Sequence, residues 1–335
     1  MAPVERLFGW QHAFDSPVVV GLCAAIGGIL LLASLIIFVG GKAKWFSEKL
    51  HADLSTRTRS WWWLAPLMAA PVLAGGFWVI LGTGVLALLC YREFSRATGL
   101  FRQRAISIAV AALIALVFLT AGDHWYNFFL ALPALGTILL AAVGLWGDQP
   151  AGYIQRTALG IFAFLLFGIG LGHLAWFAND MNFRPILLML LVAVELNDVF
   201  AYCCGKAFGK RKLCPGTSPN KTLGGALGAL VLTTVLVTLL GRMIFAGTLM
   251  GDWVRLVPLG LLVALAGQMG DLVLSSIKRD LGMKDIGAAI PGHGGLLDRF
   301  DSILLVAPAA FHYINFFIGV GKNEPARLMS SAFGI

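Results

Sequence analysis

Seven long stretches of this chain contain no charged residue at all: 16–41, 60–91, 105–122, 125–147, 157–179, 222–241 and 302–321. Two more apolar runs, 185–203 and 256–277, carry charge only near their ends. A helix needs about 20 apolar residues to cross the hydrocarbon of a bilayer. Of the 335 residues 59% are hydrophobic and 13% charged, where a soluble domain carries about a quarter charged. A single soluble core could not hide this much apolar surface, so its natural solvent is lipid. The chain reads as one all-α polytopic membrane protein.

The run 60–91 is too long for one span and holds Pro71 and the pair Gly75-Gly76 at its middle. Read as a hairpin of two helices, it brings the total to about ten. The loops then alternate with a strong bias: 42–59, 92–104, 148–156, 204–221 and 276–301 together hold 19 Lys and Arg, against 6 in 1–15, 123–124, 180–184, 242–255 and 322–335. Cytoplasmic loops collect positive charge, so the first set is expected inside and both termini outside. A single span at 60–91 would put the basic loops 42–59 and 92–104 on opposite sides. The net charge of +8 is therefore orientation charge rather than a sign of nucleic-acid binding. The run 16–41 is too long for the apolar region of a signal peptide, and Glu5 and Arg6 lie in its leader; it reads as a retained anchor helix. Residues 1–59 are expected to form that anchor plus a basic cytoplasmic connector, and 60–335 the membrane-embedded functional domain. The five cysteines show no metal or disulfide spacing, and only Cys214, in a loop, is placed for reactivity.

Charge near a membrane span is costly and marks candidate sites. Three clusters qualify, all on the expected cytoplasmic side. Glu195 and Asp198 share a helix face at the end of one span, with Asn197 beside them. The loop 205–225 carries Lys206, Lys210, Arg211, Lys212 and Lys221 and no acid; Lys221 and Thr222 open the next span, where free N–H groups favour an anion. The third cluster runs from Gly270 to Asp301. Asp271, Ser275 and Lys278 sit at i, i+4 and i+7 on one helix face. The helix is expected to break near Gly282, and a glycine-rich turn follows whose N–H groups could approach phosphate. Asp298 and Asp301 are expected on the first turn of the last span. Carboxylates from two helices thus converge around bases and glycines. That combination suits Mg²⁺-assisted phosphoryl or nucleotidyl transfer. A merely salt-bridged loop would need neither the glycines nor an acid as deep as Asp271.

These residues resemble the signature of the phosphatidate cytidylyltransferases, the CDP-diacylglycerol synthases. The matching elements are Ser275-x-Ile277-Lys278-Arg279, Lys284-Asp285, Ile290-Pro291-Gly292-His293-Gly294-Gly295 and Asp298-Arg299-Phe300-Asp301. Asn197-Asp198-x-x-Ala201-Tyr202, Phe208-Gly209-Lys210, Ser218-Pro219-x-Lys221-Thr222 and Tyr91-Arg92-Glu93-Phe94 also resemble family segments. The resemblance covers about 60–335 and implies a nine-helix core with one extra N-terminal helix. It implies transfer of CMP from CTP to phosphatidic acid, with Mg²⁺ as cofactor, and leaves open whether a monovalent cation joins it. Asp271 and Asp298 would be metal ligands. Lys278, Arg279, Lys284 and Arg299 would hold phosphates. Ser275, His293, Gly294 and Gly295 would shape the nucleotide pocket. Asp198, Lys221, Thr222, Asp285 and Asp301 would complete the substrate site. The partners would be CTP, phosphatidic acid and membrane lipids, with a homodimer allowed and the enzyme sited in a bacterial inner membrane. One departure stands out: Gly224 lies where the family usually has Glu. His173 and His312, inside apolar runs, read as packing residues. A CTP-dependent lipid kinase and a transporter are the rival readings. The full signature speaks against the kinase, and the gathering of charge at one membrane face rather than the midplane speaks against the transporter. A CDP-lipid-consuming phosphatidyltransferase would need a D-G-x-x-A-R run, which is absent.

Overall fold

A computed structural model describes residues 3–45, 47–287 and 294–321. Its helices are α1 (Pro3–Phe8), α2 (Pro17–Lys42), α3 (Glu48–Ala74), α4 (Gly76–Thr98), α5 (Arg104–Gly122), α6 (Tyr126–Val143), α7 (Tyr153–Ala163), α8 (Leu171–Phe177), α9 (Phe183–Phe208), α10 (Leu223–Ile244), α11 (Trp253–Asp280) and α12 (Ile303–Ile318). A π-helical stretch, Phe164–Gly170, joins α7 to α8 as one span. Among the described residues, eight spans are long and apolar enough to cross a membrane, and α12 is a shorter apolar helix. The protein is a polytopic all-α membrane protein. α3 is the tenth long element; only its second half, from Trp61, is continuously apolar.

The expected hairpin is present and breaks at Gly75. This residue has φ 135° and ψ 170°, a region open essentially to glycine. A Cβ there would stand 2.4 Å from the carbonyl oxygen of Leu7, because α1 packs against the hairpin tip. Gly75→Ala should lower stability by about 2 kcal/mol. It would be read as an earlier thermal unfolding midpoint in detergent, and an unchanged midpoint would refute the account.

Two expectations need correction. The connector 42–59 is not a loop: Ser47 caps α3, its hydroxyl accepting from Leu50 N–H, and Glu48 follows in the first turn, where an acid suits the helix dipole. The segment 205–225 is not all loop either. α9 continues to Phe208, and β1 (Lys212–Cys214) then pairs antiparallel with β2 (Ser218–Thr222), Lys212 opposite Thr222.

The loops meet one another as the alternation requires. At one end Arg6 donates to the carbonyl of Ala178 and to Asn179 Oδ1 (2.6 and 3.0 Å), and Arg184 donates to the Gly9 carbonyl (2.6 Å). Asn179 reaches Ala121, Asn182 reaches Ile244, and Gly321 N–H reaches Asp180. At the other end 91–94, 209–222, 276–287 and 294–301 come together. Residues 322–335, assigned to the first of these ends, lie outside the described residues. The buried core between the ends is aromatic-rich around α4, α5, α8 and α12, with Phe94 against Phe167 at 5.3 Å and Phe177 against Phe311 at 5.2 Å.

Candidate functional site

α11 is the spine of the site. Its glycines let other backbones approach closely. A Cβ on Gly270 would lie 2.6 Å from the carbonyl oxygen of Asp301, so the turn before α12 crosses directly beside Asp271. On the same face Ser275 Oγ donates to Asp271 Oδ1 at 3.1 Å, and Lys221 Nζ, arriving from β2, meets Asp271 Oδ2 at 2.5 Å. Lys278, one turn further, is buried and donates to Asp298 Oδ1 at 3.0 Å. The spacing 271, 275, 278 does what a helix face predicts.

Asp298 and Asp301 are not on the first turn of α12, which starts at Ile303; they lie in the turn ahead of it. Asp298 is the hub of that turn. Its Oδ2 accepts the N–H groups of Ile286 (3.0 Å), Gly287 (3.5 Å) and Gly295 (2.9 Å). The glycine-rich N–H groups expected to face a phosphate therefore face a carboxylate here. Gly294, at φ 81°, turns the chain tightly enough that a Cβ would lie 3.0 Å from Asp298 Oδ2. Asp301 is buried and accepts the N–H of Ser302 at 2.7 Å. Burial first, then the charges of Asp271 and Asp198, hold its carboxyl well above the usual carboxylate range, against the opposing pull of Lys278 and the Ser302 N–H.

Arg299 turns the other way. It pairs with Glu195 and stacks on the ring of Trp61 at 5.0 Å. Its Nε is buried and finds no acceptor among the described residues. A buried donor left without a partner is costly, and this one suits an anionic ligand. Arg279 is exposed and donates to the carbonyls of Thr217 (3.2 Å) and Met283 (3.3 Å). Lys284, Asp285 and Asp198 are also exposed, with Asp285 beside Gly294.

Other expected residues have structural roles in view. Thr222 is the N-cap of α10, its hydroxyl accepting from Gly225 N–H at 3.1 Å. Asn197, counted with the acids, is buried and accepts from Thr233 of α10 at 3.0 Å. His293, with Ile290 and Pro291, lies outside the described residues. His173 and His312 pair with each other, Nε2 to Nε2 at 3.1 Å, within the apolar interior. Cys214 sits half-buried in β1. At Gly224 a Cβ would stand 2.8 Å from the Phe208 carbonyl oxygen. The end of α9 occupies the place a glutamate would need.

The sequence reading attached no role to Glu93. Its two oxygens accept the N–H groups of Leu296 (3.1 Å) and Leu297 (2.8 Å), tying α4 to the turn that carries Asp298 and Arg299. Its partners lie more than 200 positions away in sequence, so local pattern carried no trace of them.

Among the described residues no three His, Cys, Asp or Glu side chains stand close enough to cage a metal ion. Mg²⁺ does not require such a cage, because it commonly takes one or two carboxylates with water and substrate phosphates. Asp271 presents hard oxygens of that kind, and Asp298 Oδ1, the oxygen not committed to backbone N–H groups, would join it only by giving up Lys278 Nζ.

The chain is similar in sequence to known proteins. An Escherichia coli K12 protein described as uncharacterized protein YnbB is 31% identical over 301 residues, covering 88% of this chain and 97% of its own. A Staphylococcus haemolyticus protein named phosphatidate cytidylyltransferase is 33% identical over 249 residues, 73% of this chain and 93% of its own. A Staphylococcus aureus (strain COL) protein of the same name is 41% identical over 140 residues, 42% of this chain and 53% of its own. The cytidylyltransferase family model matches residues 55–317, which take in every described site residue from Glu93 to Asp301, and the chain belongs to that family.

Proposed function

We propose that this protein joins a cytidine nucleotide to phosphatidic acid, converting CTP and phosphatidic acid into CDP-diacylglycerol and pyrophosphate. A phosphate oxygen of the lipid attacks the α-phosphorus of CTP. A new P–O–P linkage forms, the bond to the β-phosphate breaks, and pyrophosphate leaves with the electron pair. The nucleophile is already an oxyanion, so the task is charge neutralisation and alignment rather than proton removal. The observation that carries this reading is the pairing at one end of the membrane domain of Lys221 with Asp271 and of Lys278 with Asp298, on one face of α11. The relatives named phosphatidate cytidylyltransferase support the choice of substrates.

In this reading Lys221, Lys278, Arg279, Lys284 and Arg299 hold phosphates. Ser275 keeps Asp271 oriented, and Asp198, Thr222, Asp285, His293, Gly294, Gly295 and Asp301 surround the nucleotide. Asp271 and Asp298 would hold Mg²⁺, which when bound neutralises charge on the triphosphate. Residues 60–335 form the catalytic domain. The bias of Lys and Arg supports a cytoplasmic active site in a bacterial inner membrane.

Purified protein given labelled CTP, Mg²⁺ and phosphatidic acid should release pyrophosphate and yield lipid-borne cytidine, and chelation should stop it. Soluble CDP as the product would mean a lipid kinase instead. Absence of both products would refute the assignment.

A further inference from the structure

Beside the site an apolar cleft of about 580 Å³ lies between α3, α4, α8 and α9. Leu67 and Pro71 of α3, Gly82 and Leu86 of α4 and Leu187 of α9 line it, together with Leu296 and Phe300. Those last two residues belong to the turn that carries Asp298 and Arg299. The hydroxyl of Thr83 on its wall is already satisfied by the Val79 carbonyl.

We propose that this cleft holds one acyl chain of the phosphatidic acid substrate, with the lipid phosphate at Arg299. The inference rests on the reaction proposed above and adds where the lipid lies. Three observations carry it. The cleft borders the charged turn through Leu296 and Phe300, so a chain lying in it places its headgroup beside Asp298 and Arg299. Arg299, paired through its Nη2 with Glu195, is stacked on Trp61 of α3, the same helix that forms one wall, and its buried Nε donates to no group among the described residues. The length also fits: the α4 wall from Trp78 to Leu89 rises about 17 Å at 1.5 Å per residue, against about 15 Å for the hydrocarbon of one leaflet. The cleft therefore matches the length of a single acyl chain.

Gly82→Leu tests this directly. A Cβ at Gly82 would lie 3.5 Å from its nearest neighbour, Pro71 Cγ, which is ordinary contact, so the leucine fills cleft rather than packed interior. With dioleoyl phosphatidic acid kcat/KM should fall about tenfold or more, while dihexanoyl phosphatidic acid, whose short chains do not reach Gly82, should be used as well as before. Equal loss on both lipids, or loss on neither, would overturn the proposal. A second measurement needs neither the variant nor turnover. Phosphatidic acid bearing a diazirine at one acyl terminus, irradiated with the wild-type protein, should label α3 and α4 within the cleft, and excess unlabelled phosphatidic acid should suppress the label. Labelling confined to α2, the most lipid-exposed span, would overturn it. Labelling in the cleft by a wild-type protein that releases no pyrophosphate would leave the lipid site standing and remove the reaction.

Discussion

Asp298→Asn should reduce pyrophosphate release about a thousandfold and lower stability by about 3 kcal/mol. Both oxygens of Asp298 face donors: Lys278 Nζ on one side and the N–H groups of Ile286, Gly287 and Gly295 on the other. An asparagine has one acceptor oxygen and one donor nitrogen. Whichever way the amide turns, its NH₂ opposes a donor, and Lys278 loses its counter-charge while staying buried. Asp271→Asn is the contrasting case. Its carboxylate is about one-fifth exposed and among the described residues bonds the tip of Lys221 and the Ser275 hydroxyl. It should lose turnover to a similar degree while unfolding at nearly the wild-type temperature. Activity and thermal unfolding measured on both variants in the same detergent separate the two effects. Near-normal turnover in Asp298→Asn would remove it from the site, and equal destabilisation in both would refute the distinction between a hub and an open ligand.

The membrane architecture was legible because bilayer physics is blunt. Apolar length sets the spans, and the Lys and Arg bias groups the loops into two sets. The hairpin at 60–91 followed from its length, its central Pro71 and Gly75-Gly76 and the charge of the flanking loops, and Gly75 supplies its backbone reason. The start of α3 was hidden because 48–59 is polar, although the cap Ser47-Glu48 was readable. The ribbon at 212–222 is too short to leave a periodic signal. Within the site, helix spacing placed Asp271, Ser275 and Lys278 on one face. It failed for Asp298 and Asp301, because a turn held together by contacts to α4 and α11 looks in sequence like the start of a helix. Asn197 looked like part of an acidic site because adjacency in sequence cannot distinguish a face turned to the acids from one turned to Thr233. The gap at Gly224 has a steric cause that only packing against Phe208 discloses. The N-terminal segment is also more integrated than an appended anchor: Arg6 is fully buried and Arg184 reaches back to Gly9. The Escherichia coli relative, with 88% of this chain covered, must align into the first 59 residues, since 60–335 is a smaller share of the chain.

The second large effect is expected at Glu93, which touches none of the proposed substrates. Its carboxylate accepts two successive backbone N–H groups, those of Leu296 and Leu297, and so fixes the start of the turn from which Asp298 and Arg299 project. Gly287 and Gly295 stand against it so closely that a Cβ on either would lie 2.7 Å from a Glu93 oxygen. In Glu93→Gln one oxygen still accepts, but the amide NH₂ faces the other N–H, so the turn must shift to relieve a donor–donor contact. A shift of this kind misplaces groups that must align in the transition state, and kcat should fall about a hundredfold. KM for CTP should change less than kcat, because Lys221 and Lys284 lie outside the turn that shifts. Glu93→Asp, a methylene shorter, should restore charge but not reach, and should remain well below wild type. Gly295→Ala should reproduce the loss from the opposite side of the same contact. A Glu93→Gln enzyme with wild-type kcat would show that the turn holds its shape without α4. A loss confined to KM would move Glu93 from positioning the turn to binding the nucleotide.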